Sequence, residues 1–172
     1  MRRQPRPGSK HPRVAGLCSV LANTLASERK YEEAEREFRQ VLALRQRILE
    51  PGSPELAVTQ TALGKLLLET RQYSEAILTL EQALQIRNSN KVARSLRGET
   101  SFALARALWA SRKDRTRALS LARQALADFD TAKLDTVDKQ RAEVQVLPRP
   151  LIRGAPLRSR SSRQRGKADQ SS

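Results

Sequence analysis

The sequence holds one cysteine and one histidine, Cys18 and His11. That pair cannot supply a disulfide framework or a zinc site of the usual Cys/His kind. It also leaves His11, close to a chain end, as the lone imidazole for any Ser-His-Asp or Cys-His arrangement, so no catalytic, metal or cofactor residue is assigned. Aromatic residues make up 3% of the 172, which argues against a thick sandwich core filled with rings and for thin helical layers. Seven glycines and eight prolines are too few for a turn-rich all-β chain, and most of them sit near the two ends or in one mid-chain loop. No run approaches the roughly 18 apolar residues of a membrane-spanning helix.

Other expected signatures are missing too. There is no Gly-x-x-x-x-Gly-Lys, no Gly-x-Gly-x-x-Gly and no kinase signature. Arg2 and Arg3 ahead of the apolar stretch 14–22 imitate an export signal. Ser19 interrupts that stretch, Asn23-Thr24 ends it, and Leu17 stands where a lipoprotein signal needs a small residue before Cys18, so a cytoplasmic location is expected. Glu32-Glu33 and Asp128 with Asp130 are read as solvated helix faces, and Cys18 as a buried, inert thiol.

What the chain has in excess is positive charge, +15 in all, and its placement is uneven. Residues 1–13 carry +5 and residues 147–172 carry +6, which leaves +4 for the stretch between. Segments rich in Arg, Ser, Pro and Gly bury too little apolar area to offset ordering entropy, so 1–11 and 147–172 are expected to be disordered basic tails. Nucleic-acid association through those tails is a rival function class, although no aromatic residue is interleaved with the C-terminal arginines to stack on bases.

The strongest signal is an internal repeat. A shift of 42 residues aligns Pro12 with Pro54, Ala15 with Ala57, Leu21 with Leu63, Leu25 with Leu67, Arg29 with Arg71 and Tyr31 with Tyr73. It also aligns Glu33 with Glu75, Ala34 with Ala76, Gln40 with Gln82, Leu42 with Leu84 and Arg45 with Arg87, and a second step keeps Ala118, Gln124 and Leu126. Each unit reads as two amphipathic helices. Ala22, Gly64 and Ala105 on the first helix, and Ala34, Ala76 and Ala118 on the second, are the small residues expected where the two approach. Tyr31 and Tyr73 fall at the turn, where a ring covers the hairpin end. Helices are expected at 13–28, 31–49, 54–70, 73–88, 98–111 and 115–129, with a closing helix at 136–146. Gly98 is expected to delay the fifth, and one extra residue at 114–116 to lengthen the last turn.

Leu63-Gly64-x-x-Leu67 followed by Ala76-x-x-x-Leu80, and the same pattern from Leu21 and from Leu104, resemble the tetratricopeptide repeat. The 42-residue period and the loop Gly52-Ser-Pro-Glu-Leu-Ala57 are similar to the kinesin-light-chain type, which is abundant in bacterial arrays, including those attached to serine/threonine kinases. The resemblance implies an all-α tetratricopeptide-type solenoid of three hairpins (about 12–53, 54–95 and 96–135) within a domain at 12–146. It implies a non-enzymatic scaffold that holds a protein or peptide partner in its concave groove. Kinesin-light-chain repeats typically place an Asn pair before the first-helix Leu. Ser19-Val20 and Thr61-Ala62 stand there instead, so the same cargo is not implied.

Residues four apart on the first helices of each hairpin are expected to face that groove: Ser19 and Asn23, Thr61 and Lys65, Phe102 and Arg106. Asn23, Lys65 and Arg106 form a polar to cationic stripe, with Glu69 and Trp109 beyond, and such a stripe suits an acidic or carboxylate-bearing peptide. Trp109 suits either a plug at the solenoid end or a partner anchor. A third possibility is that the chain is a piece of a larger kinase-linked array, in which case an apolar face exposed on the first hairpin would show as self-association.

Overall fold

The computed structural model describes residues 12–132 apart from residue 91. These form six helices in sequence, α1 (Pro12–Ser27), α2 (Tyr31–Ile48), α3 (Pro54–Glu69), α4 (Tyr73–Ser89), α5 (Arg94–Ser111) and α6 (Arg115–Ala132). No strand occurs among the described residues. Contacts link α1 with α2, α3 with α4 and α5 with α6 as hairpins, and α2 with α3 and α4 with α5 as steps between hairpins. The first helices also touch in succession, α1 with α3 and α3 with α5. This nearest-neighbour pattern is that of an all-α tetratricopeptide-type solenoid. The expected closing helix at 136–146 and the basic tails at 1–11 and 147–172 lie outside the described residues.

The repeat fixes the turns. Arg29 and Arg71, aligned by the 42-residue shift, take left-handed backbone with φ of 62° and 61°. In the first turn, Lys30 N donates to the Leu25 carbonyl at 2.9 Å and Arg29 N to that of Ala26 at 3.1 Å. In the second, Gln72 N and Arg71 N bond to Leu67 and Leu68 in the same way. This double bond satisfies the carbonyls a helix end leaves unpaired, and it ends α1 and α3 although no glycine is present. The third turn keeps the left-handed residue, Arg112 with φ 57°, and one of the two bonds, Arg112 N to the Trp109 carbonyl at 3.2 Å, with one more residue before the next helix starts. The extra residue therefore falls ahead of α6, and Asp114 Oδ1 accepts from Arg117 N at 2.8 Å as its cap. Between hairpins, Gly52 takes φ 94° and Pro54 opens α3, where a missing N–H costs nothing. Asn90 ties the next connection down by donating to the carbonyls of Ile86 and Gly52.

The small residues do what their spacing predicts. Ala22, Ala34, Ala76, Ala105 and Ala118 are fully buried, and one continuous core runs from Ala22 in α1 to Ala122 in α6. Tyr31 and Tyr73 pack against its edge. At Gly64 the approach is tighter than a methyl allows, because a Cβ there would sit 2.5 Å from Leu80 Cγ. Phe102, Ala125 and Phe129 form a smaller second core between α5 and α6.

Several expectations change. Gly98 does not delay α5, which begins four residues earlier at Arg94; it is a buried helical position whose Cβ would lie 2.9 Å from Phe129 Cε1. Asp128 is not solvated: it is buried and takes both Nε (2.9 Å) and Nη2 of Arg97, joining α6 to α5. That bond raises the Arg97 pKa above its usual range. Cys18 is partly exposed rather than buried. Leu21, aligned with the buried Leu63, is exposed.

Replacing Gly64 by Ala is expected to destabilise the fold by about 1–3 kcal/mol, through overpacking against Leu80. Gly16→Ala is expected to stabilise by about 0.5–1 kcal/mol, because no neighbouring atom lies within 4 Å of its Cβ position and only helix propensity changes. Urea unfolding of the two variants checks the opposite signs.

Candidate functional site

The first helices of the three hairpins line one groove of about 430 Å³. α1 contributes Asn23 and Ala26; α3 contributes Val58, Thr61, Ala62, Lys65, Leu66 and Glu69; α5 contributes Leu96, Glu99 and Arg106. Tyr31 and Phe38 reach it from α2, and Arg87 from α4. Val58 and Leu96 are exposed apolar side chains facing solvent at this surface.

Charges in the groove are paired across α3 and α5. Lys65 Nζ lies 2.9 Å from Glu99 Oε1, and Arg106 Nη2 lies 3.2 Å from Glu69 Oε1. Beneath them, Thr61 and Thr100 share a hydrogen bond of 3.0 Å between hydroxyls. Arg87 is the unusual member: its side chain is 3% exposed, and its closest carboxylate atom is Glu99 Oε2 at 3.9 Å. Its Nη1 makes no hydrogen bond among the described residues. Burial pulls the Arg87 guanidinium below its usual range, and only the Glu99 charge opposes this. Its repeat equivalent, Arg45, is fastened instead to the Glu55 carbonyl at 2.9 Å and to the Thr59 hydroxyl.

Of the residues expected on the groove, the structure brings together Asn23, Thr61, Lys65, Glu69 and Arg106. Asn23 Nδ2 donates to the Ser19 carbonyl of its own helix at 2.8 Å. Ser19 is not a lining residue, and its hydroxyl donates back to the Ala15 carbonyl at 2.7 Å. Phe102 is a correction. Its ring lies buried with Ala125 and Phe129 between α5 and α6, where the missing Cβ of Gly98 also admits the Phe129 ring. Trp109 also stands away from the groove; it packs against the main core, with the Arg115 guanidinium 5.0 Å from its ring centroid. Sequence reasoning missed Glu99, Arg87, Val58 and Leu96. The Arg45/Arg87 identity marked Arg87 as a recurrent residue, but Glu99 has no counterpart in the other repeats. Among the described residues no cluster of three or more His, Cys, Asp or Glu could hold a metal.

Residues 14–89 match the family model for the tetratricopeptide repeat. Solved structures agree in fold. The nearly identical TPR-like repeats of a Podosopora anserina protein assigned as a kinesin light chain superpose with a TM-score of 0.61 at 22% identity, covering 80% of this chain and 72% of that one. A methionine-for-glutamine variant of those repeats gives 0.63 at 22% identity, covering 81% and 73%. The N-terminal domain of stress-induced protein-1 (STI-1) from C. elegans gives 0.55 at 14% identity, covering 77% and 94%. No curated protein matches this chain. No helix among the described residues is long and apolar enough to cross a membrane.

Glu99→Gln is expected to cost about 1–3 kcal/mol of stability, since it leaves the buried Arg87 without its counter-charge. Lys65→Gln removes only an exposed pair and should cost less than about 1 kcal/mol. Adding Arg87→Met to Glu99→Gln should recover most of the loss. Urea titrations of the three proteins at neutral pH measure this.

Proposed function

We propose that this tetratricopeptide-type array is a non-catalytic scaffold that holds an extended segment of a partner protein along the groove of α1, α3 and α5. The observation that carries this is the lining itself: exposed Val58 and Leu96 alternate with Lys65, Glu69, Glu99 and Arg106 on a rigid helical floor. Apolar pockets set among fixed charges suit side chains of an extended peptide. The charged lining residues are Lys65, Arg87 and Arg106 against Glu69 and Glu99, a surplus of one positive charge. That surplus favours a partner with acidic groups, whose carboxylates exchange with Glu69 and Glu99 at the two cations. Asn23 offers a neutral polar contact at the α1 end, and Ser19, Phe102 and Trp109 take no part.

The test uses the immobilised full chain in native lysate at near-physiological salt, with and without nuclease. Discrete proteins are expected to bind the wild type regardless of nuclease. A Lys65→Ala/Arg106→Ala double variant, which makes the groove net negative, should lower their recovery roughly tenfold or more. Recovery that vanishes with nuclease would overturn the proposal and move the function to the basic ends. Recovery untouched by the double variant would overturn the groove.

A further inference from the structure

Among the described residues seven large apolar side chains are exposed, and four of them lie on α1: Val14, Leu17, Val20 and Leu21. Positions 14, 17 and 21 fall on one helical stripe, and Val20 flanks it. The exposures are high, 73% for Leu17, 64% for Val20 and 47% for Leu21. One repeat later the same stripe on α3 is occupied by Leu56, Thr59 and Leu63, all buried, where α2 packs against α3. The α1 stripe is therefore the surface that a neighbouring hairpin covers everywhere else in the array. The groove touches α1 only at Asn23 and Ala26, so this is a separate surface.

We infer that a second copy of this chain covers the α1 stripe, head to head, in a weak two-fold dimer. Two observations choose this occupant. A contact about a two-fold axis sets every residue against its own patch, so the patch has to be free of repelling charge, and residues 14–27 contain no charged residue. The other end of the described array does not match: no large apolar side chain is exposed on α6, and one exposed side of it carries the charged residues Arg115, Arg123 and Asp130. Head-to-tail stacking would press those charges onto an apolar stripe that offers no charged group in return. In an antiparallel α1 pair centred on the stripe, Val14 of one copy meets Leu21 of the other, and Leu17 meets Cys18. One helix face is small for a specific interface, so the dissociation constant should lie at roughly 10–500 µM.

Sedimentation equilibrium of the full chain from about 5 to about 500 µM tests this across that range. A monomer–dimer equilibrium is expected. Leu17→Glu, at an exposed position that leaves the helical circular dichroism unchanged, should weaken dimerisation tenfold or more by placing two carboxylates across the axis. Leu78→Glu, at an exposed position on α4, should leave it unchanged. Because Cys18 is the one thiol of the chain, a short bismaleimide should trap a dimer in the wild type and much less in Leu17→Glu. A chain that stays monomeric throughout would overturn the inference. A dimer indifferent to Leu17→Glu, or species that grow beyond the dimer with concentration, would overturn it as well.

Discussion

The structure depends on the closeness with which the two helices of each hairpin approach. Ala22, Ala34, Gly64, Ala76, Ala105 and Ala118 mark where they meet: the alanines are fully buried, and Gly64 leaves no room even for a methyl. Once that distance is set, the larger core residues, among them Phe38, Leu67, Leu80 and Leu104, can fill the space between successive hairpins. The turns then bring each second helix back, at the same register in the first two hairpins and one residue later in the third, even at the cost of arginine in left-handed backbone at residues 29, 71 and 112. Stacking of equal hairpins leaves the first helices side by side, and the groove is the result.

The groove's chemistry follows from its position between α3 and α5. Both exposed cations of the expected stripe, Lys65 and Arg106, hold a carboxylate of the opposite helix. Exposed pairs of this kind contribute little to stability and are screened by salt, so in the proposed function they are the ones that exchange for a partner's charges. Arg87 is different because it is buried beneath the same surface and faces Glu99 alone at 3.9 Å. Glu99 therefore answers to two cations, one wet and one dry, and it ties the groove's charge to the integrity of the core.

The fold was legible because its causes are periodic. Alanine and glycine at a fixed spacing, tyrosine at each turn, and Pro54 at a helix start all leave a sequence signal with a local meaning. The misplacements have causes that periodicity does not carry. Gly98 looked like a helix breaker, yet its lack of a Cβ admits the ring of Phe129 from 31 residues away. Phe102 and Asp128 were drawn into that same α5–α6 contact, a pairing with no counterpart in the first two hairpins. Glu99 could not be found by alignment, because it is peculiar to the third hairpin. Leu21 shows the converse: the repeat predicts burial, but α1 has no described hairpin ahead of it to bury the side chain.

The proposed binding groove on the first helices and the inferred contact stripe on α1 are two separate surfaces of one stack. Amide hydrogen exchange on the full chain, alone and saturated with a captured partner protein, tests the central part of this account most directly. The account predicts slowed exchange in the peptides covering α3 and α5 and the C-terminal half of α1, with α6 unchanged. Protection confined to residues 1–11 and 147–172 would contradict it.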